Sequence, residues 1–450
     1  MYLNRKFDDY LASWKKDESR LPLIIRGARQ VGKTASVRHF AKGLYESFIE
    51  INFVEEPRYK RIFSDGYDAA SIIRNISFID PGKRFIPGKT LIFFDEFQTC
   101  PQVATSLKFF KEDGRFDVIC SGSLLGIGYQ EIESVSVGHK SDVELRPFDF
   151  EEFLWANGYG RDIADILLEQ LVSGKPFTEA AMASLTERFG DFFVLGGMPA
   201  VVKQYLERKT FEGSLGLQKQ ILLDYEEDIQ KYLNGLERTR VLSVFRAIAP
   251  QLAKENKKFQ ISKVARGARL REYSGCVEWL EKAGIVLRCS CLDFPELPIR
   301  GNVNPDKFKL YFLDTGLLIA SLDPEAQDDL RANRNLGVYK GALYENFAAS
   351  ALVAQGLPLC YYRKEDGQLE EDFFARTADS LVPIEVKGGN GKAESLRVLI
   401  RNPRYSDIRF GIKLSRRNVG FENNVYTIPL FCAFLLRRFL KTAEGKFPEN

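Results

Sequence analysis

The chain is 450 residues long, 45% hydrophobic and 28% charged, enough for about three domains with separate cores. Its 64 lysines and arginines against 61 acids leave a formal net charge of +3, so global electrostatics do not single out a nucleic-acid binder. Seven cysteines without a Cys-x-x-Cys, and only two histidines, His39 and His139, exclude a disulfide framework and a thiolate zinc site and leave little for histidine catalysis.

Residues 21–25 form an apolar run of strand type, and 35–44 have helical character. Between them stands Gly27-Ala28-Arg29-Gln30-Val31-Gly32-Lys33-Thr34, a phosphate-binding P-loop in the strand–loop–helix order it requires. Gly27 and Gly32 let the backbone curl so that successive N–H groups converge on an anion, and the helix behind adds the positive end of its dipole. Lys33 would set a compact positive charge against the β- and γ-phosphates of ATP, while the Thr34 hydroxyl would ligate Mg²⁺. Downstream, Thr90-Leu91-Ile92-Phe93-Phe94-Asp95-Glu96 reads as a buried parallel strand that delivers two acids to its carboxyl edge. Asp95 would hold Mg²⁺, and Glu96 would orient and deprotonate the attacking water. A third strand, 116–120, ends in Ser121-Gly122-Ser123. Hydroxyls there could sense the γ-phosphate, with Ser123 preferred, although Ser-Gly-Ser is also ordinary turn chemistry.

Strand-like and helix-like segments alternate through residues 1–150, the pattern of a parallel sheet covered by helices. Residues 151–235 turn mostly helical, as a lid would, with a break at Gly196-Gly197-Met198-Pro199. Residues 236–330 follow the order of a winged helix-turn-helix: helix, short helix, longer helix, β-hairpin. The longer helix carries Val277, Leu280 and Ala283 at helical spacing and stops at Gly284, and strands follow at 285–289 and 309–312. Segment 254–271 holds Lys254, Lys257, Lys258, Lys263, Arg266, Arg269 and Arg271 against Glu255 alone, charge placed where a DNA-facing helix needs phosphate contacts. A protein-contact module of the same shape accounts for it equally. A second basic stretch, from Arg397 to Arg417, reads as a solvated face unless the fold beneath says otherwise. No targeting pattern marks the N-terminus, and no apolar run reaches the ~20 residues of a membrane span. Residues 430–440, interrupted by Arg437 and Arg438, suit a packed amphipathic helix. A soluble, cytoplasmic protein is expected.

Residues 331–450 offer a second chemistry. Pro383-Ile384-Glu385-Val386-Lys387 reads as a strand with Glu385 and Lys387 on one face, ahead of Gly388-Gly389. Segments 359–363 and 369–374 would form a hairpin with Asp372 on its second strand, and 339–353 a helix carrying Glu345. Asp372 and Glu385, completed by Glu345, would bind Mg²⁺ for phosphodiester cleavage, with Lys387 steadying the attacking hydroxide or the transition-state charge. Taken alone, Glu-x-Lys on a strand is common surface chemistry.

Taken in order, these motifs resemble the prokaryotic AAA-type (archaeal-type) P-loop ATPases with a C-terminal domain like the PD-(D/E)XK nucleases. The resemblance runs through 27–34, 91–98, 121–123, 145–153, 195–199, the Tyr-Phe-Leu-Asp-Thr-Gly-Leu within 309–318, and the Glu345, Asp372 and 384–387 cluster. It implies an α/β chain: a P-loop NTPase core, a helical lid, a winged helix-turn-helix segment and a restriction-nuclease-like α/β domain. It implies ATP and Mg²⁺ bound through Lys33 and Thr34 with Asp95 and Glu96, and a nuclease set of Asp372, Glu385, Lys387 and Glu345. The chain departs from the pattern at three places. Ala28 stands where relatives often have proline. Gly138-His139 stands where many have Gly-Arg, so no arginine finger is assigned. Glu371 replaces an apolar residue before Asp372. The expected function is Mg²⁺-dependent ATP hydrolysis coupled to nucleic-acid engagement, DNA ahead of RNA, with nuclease activity open. The alternatives are an ATP-binding regulatory or scaffold protein with an inert nuclease-like domain, acting with a protein partner or as a homo-oligomer, and a defence or toxin-like effector.

Overall fold

A computed structural model describes residues 1–122, 136, 138–254, 257–322, 325–332, 338–367, 369–389, 391 and 393–443. The chain divides into two compact units, Met1–Pro147 with Lys282–Gly284, and Phe148–Glu281 with Ile285–Asn450.

The first unit runs α1 (Lys6–Lys16), β1 (Leu23–Arg26), α2 (Lys33–Leu44), β2 (Ser47–Asn52), α3 (Ala69–Ile79), β3 (Thr90–Asp95), α4 (Gln102–Asp113), β4 (Asp117–Ser121) and β5 (Ser141–Glu144). The strands lie in the order β2-β3-β4-β1-β5, and every neighbouring pair is parallel. Parallel strands covered on both faces have no polar side to show, which is why β3 is buried along its whole length and apolar from Leu91 to Phe94. Ile51, Ile92, Phe94 and Val118 from the strands pack with Ile72 and Ile76 of α3 and Leu107 and Phe110 of α4. In this register Asp95 stands beside Ser121, and Ser121 beside Ile25, so β1, β3 and β4 finish together at one edge.

The second unit begins with helices α5 (Phe150–Ala156), α6 (Ile163–Ser173), α7 (Glu179–Leu195), α8 (Pro199–Arg208), α9 (Ser214–Tyr232), α10 (Gly235–Leu252) and α11 (Leu270–Lys282). The short middle helix expected between α10 and α11 is a single 3₁₀ turn, Ile261–Lys263. Then come β6 (Val286–Leu292), β7 (Val303–Phe312), α12 (Thr315–Ala320), α13 (Ala326–Arg331), α14 (Val338–Ala354), β8 (Cys360–Arg363), β9 (Glu370–Glu371) and β10 (Phe373–Arg376). The chain closes with β11 (Leu381–Lys387), α15 (Glu394–Arg401), β12 (Gly411–Ser415), β13 (Gly420–Glu422), β14 (Val425–Pro429) and α16 (Leu436–Ala443).

β6 and β7 form the expected antiparallel hairpin, but β6 also pairs in parallel with β8. The hairpin therefore belongs to a four-stranded sheet, β7-β6-β8-β9, rather than standing out as a separate wing. The third sheet, β10-β11-β12-β14-β13, has a parallel centre and antiparallel edges. The single strand expected at 369–374 is split at Asp372, its halves joining different sheets. Segment 430–440 is a buried 3₁₀ turn, Leu430–Leu435, running into α16, where Arg438 reaches Glu151 at 3.2 Å. All seven cysteines are free and buried.

Two sequence motifs meet inside this unit. Asp314 caps α12 by accepting the Leu317 N–H at 3.1 Å and takes the Gly197 N–H at 2.6 Å, joining the turn between α7 and α8 to the end of β7. Burial pushes the Asp314 carboxyl up from the ordinary 3.8 to about 6, and the backbone N–H bonds of Gly197, Leu317 and Gly316 offset it only in part. The fold thus favours the protonated acid. Its contribution is fully present below about pH 4 and is lost as the pH rises through about 6, a loss of about 3 kcal/mol. Denaturation at pH 4 and pH 7 should show the advantage of wild type over Asp314→Asn shrinking by about that amount; a pH-independent difference would refute the assignment.

Candidate functional site

The P-loop site is built from backbone outward. Gly27 has φ +148°, and a Cβ there would lie 2.2 Å from the Leu145 carbonyl oxygen, so only glycine lets the loop pass the neighbouring strand. Leu145 is itself fixed by donating to Arg26 O at 2.8 Å. Arg5, buried just before α1, braces the loop from behind: its guanidinium donates to Val31 O at 3.1 Å and to Arg146 O at 2.7 Å. Gly32, at φ +95°, turns the chain into α2. Lys33 is buried, and its ammonium donates to Gly27 O and Ala28 O at 2.9 and 2.8 Å, so the curl closes around its own cation.

At the adjoining strand end Asp95 is held by two hydroxyls. Thr34 Oγ1 donates to Asp95 Oδ2 at 2.9 Å, and Ser121 Oγ donates to Asp95 Oδ1. Burial pushes the Asp95 carboxyl up, opposed by these two hydrogen bonds. The backbone then flips into the left-handed region at Glu96, φ +53°, an uncommon conformation for a residue with a side chain. Gln98 Nε2 donates to Glu96 Oε2 at 2.5 Å and aims its carboxylate. Hydroxyl and carboxylate oxygens at Thr34 and Asp95 are the donors Mg²⁺ prefers, and the loop's N–H groups suit a polyphosphate, so the residues present fit Mg²⁺ and ATP. Ser123, the preferred sensor in sequence, lies outside the described residues, and the hydroxyl on Asp95 is that of Ser121. Arg5 was not foreseen, and Gln98 stood in the 91–98 motif without an assigned role.

The C-terminal carboxylates are arranged differently from expectation. Glu385 and Lys387 do share a face of β11, 2.6 Å apart. Asp372, however, spends Oδ2 on the Val386 N–H at 2.9 Å. Glu345 on α14 takes the Lys257 ammonium, the Tyr311 hydroxyl at 3.1 Å and the Lys309 ammonium at 3.6 Å. Lys309, with 1% of its side chain exposed, also lies 2.9 Å from Glu370 and 3.9 Å from Asp372. Burial opposes ionisation of Glu345, but Lys257 and Lys309 outweigh it and hold its carboxyl well below the usual range. Burial likewise works against the Lys309 charge, and Glu345, Glu370 and Asp372 together keep it protonated. Glu371 is fully buried, and burial with the charges of Glu385 and Asp372 drives its carboxyl well up. Among the described residues no group of three or more His, Cys, Asp or Glu is placed to hold a metal ion. Sequence pointed to Lys257 as a phosphate contact and missed Lys309, Tyr311 and Glu370.

Of the remaining basic segment, Lys254, Lys263, Arg266, Arg269 and Arg271 are exposed, the last four around the start of α11. The second basic stretch is dispersed: Lys413 donates to Gly391 O at 2.6 Å, Arg409 pairs with Asp379 at 2.8 Å and Arg397 with Glu394 at 3.4 Å. Among the described residues no helix is long and apolar enough to cross a membrane.

A family model described as an AAA domain matches residues 19–154. Two models described only as domains of unknown function, DUF8612 and DUF4143, match 186–328 and 340–433. Residues 19–154 therefore carry a P-loop ATPase domain of the AAA type, with a parallel α/β sheet. No curated protein matches the chain. Among solved structures, a Walker-type ATPase of Pyrococcus abyssi is 16% identical over 73% of this chain and 96% of that one, with a TM-score of 0.41. The Orc1 protein of Aeropyrum pernix in complex with DNA is 14% identical over 73% of this chain and 91% of that one, at 0.28. The Drosophila ORC bound to DNA is 12% identical over 74% and 95%, at 0.26. Likenesses of this grade say nothing about ligands or partners.

Proposed function

We propose that the chain is an Mg²⁺-dependent ATPase that couples its nucleotide state to engagement of nucleic acid, DNA before RNA. The observation that carries this reading is the hydrogen-bonded set Lys33, Thr34, Asp95 and Ser121 at the shared edge of β1, β3 and β4. Lys33 would trade the carbonyls of Gly27 and Ala28 for phosphate oxygens, and residues 27–32 would present their N–H groups to the same anion. Thr34 and Asp95 would hold Mg²⁺, which when bound neutralises charge on the phosphates. Glu96, aimed by Gln98, would take the proton of the attacking water, and a hydroxyl of the Ser121-Gly122-Ser123 sequence would answer the γ-phosphate.

Nucleic-acid engagement rests on the exposed cations Lys263 on the 3₁₀ turn, Arg266 and Arg269 ahead of α11, and Arg271 in its first turn, a basic approach to a helix amino end of the kind that contacts phosphates. For the C-terminal domain, the lysines seated on Glu345 favour a binding module over a working nuclease in which Asp372, Glu385 and Lys387 would act. The testing experiment is ATP hydrolysis and duplex binding by the purified chain over a salt series. Binding should weaken steeply with salt, and Arg266→Glu with Arg269→Glu should flatten that slope by about two phosphate contacts. ATP turnover without DNA binding at low salt would leave the regulatory or scaffold alternative.

A further inference from the structure

The nuclease resemblance implies a divalent metal among Glu345, Asp372 and Glu385, and the side chains around them supply a cation of their own. Lys309 and Tyr311 alternate on β7, so both point to the same side and meet Glu345 of α14. The Lys309 ammonium is surrounded by carboxylates, 2.9 Å from Glu370, 3.6 Å from Glu345 and 3.9 Å from Asp372, and lies 4.8 Å from the centre of the Tyr361 ring. Lys257 closes on Glu345 from the segment after α10, and Arg363 on β8 reaches Glu370 at 3.3 Å. Glu345, Glu370 and Asp372 thus face Lys309, Lys257 and Arg363, and Glu385 pairs with Lys387 beside them. These carboxylates find cations without a metal, and a divalent ion added there would meet a buried ammonium at close range in a medium of low dielectric. Asp372 has also turned one oxygen to the Val386 N–H.

We infer that Lys309, seconded by Lys257, is the resident cation of this cluster and stands in for the divalent metal that the resemblance implies, leaving the domain metal-free. This rests on the reading of the C-terminal domain as a binding module, but it is testable without DNA or ATP. All proteins would carry Thr34→Ala to silence the P-loop metal, and Mn²⁺ binding to the full chain would be followed by the loss of the free-ion electron paramagnetic resonance signal. With the cluster otherwise intact, binding should be absent or weaker than about 1 mM. Tight Mn²⁺ binding that disappears in Asp372→Asn would overturn the assignment.

Removing the ammonium should leave buried carboxylates uncompensated, so Lys309→Met should lose about 5 °C or more of melting temperature. The charge-balanced pair Lys309→Met with Glu345→Gln should recover most of that loss, because Lys257 is near enough to solvent to be released. A Lys309→Met protein as stable as its parent, or a double variant no better than a collapsed single one, would equally overturn it. Failure to bind DNA would instead strike the binding-module reading and leave the Mn²⁺ result standing.

Discussion

Glu96→Gln is expected to bind ATP and to hydrolyse it about 10²–10⁴-fold more slowly, the range that a positioned general base contributes. The substitution keeps the length and planar end of the side chain and removes only its capacity to accept a proton. Gln98 remains to hold it: the hydrogen bond now runs from Gln98 Nε2 to Glu96 Oε2, and the oxygen of a glutamine can take the same place. The left-handed backbone at Glu96 and the Glu96 N–H on Asp95 Oδ1, at 3.0 Å, do not depend on the side-chain charge. The Lys33 cradle and the Thr34–Asp95 pair are untouched as well, so affinity and turnover should separate. Phosphate release and equilibrium binding of ATP, measured on the same preparation, give the two numbers. Turnover within a factor of three of wild type would exclude Glu96 as the base, whereas a parallel loss of binding would mark it as part of the cradle.

The P-loop was legible because its chemistry is local. A P-loop is eight consecutive residues whose types are dictated by one anion, and β3 announces itself by an apolar run, Leu91 to Phe94, that gives way to the acids Asp95 and Glu96. The parallel sheet of the first unit followed from the same buried runs. What was not legible depends on partners distant in sequence. Lys309 sits in an alternating stretch that reads as half-exposed, and only the approach of α14 turns its polar face inward onto Glu345. Lys257 belongs to a run of cations that looks uniformly solvated, yet a buried acid captures it. Segment 369–374 has the composition of one strand. It breaks because the Asp372 carboxylate accepts the Val386 N–H, and the ladder between β10 and β11 starts only at Phe373 opposite Ile384. Periodicity reports which face a residue occupies, and it is silent on a side chain that bonds to a neighbouring backbone.

Gly197→Ala is expected to destabilise the second unit by about 4 kcal/mol or more, among the largest effects a single methyl can have. A Cβ at Gly197 would lie 2.0 Å from the Phe148 carbonyl oxygen and 2.9 Å from its N and C, all of them backbone atoms that cannot rotate away. The two peptides are also bonded to one another, Phe148 N–H donating to Gly197 O at 2.7 Å, while the Gly197 N–H is held by Asp314 at 2.6 Å. Making room for a methyl group therefore separates Phe148 from Gly197 and pulls the latter's N–H off a buried carboxylate, stranding polar groups that water cannot reach. Gly190, on the exposed side of α7, is the control: nothing lies within 4 Å of its Cβ position, so Gly190→Ala should be neutral or stabilise by up to about 1 kcal/mol through helix propensity. Urea denaturation of both variants beside wild type reads the contrast. Equal midpoints for Gly190→Ala and Gly197→Ala would mean that the Phe148–Gly197–Asp314 junction yields, and that the turn between α7 and α8 is not anchored to the end of β7 in the way these distances require.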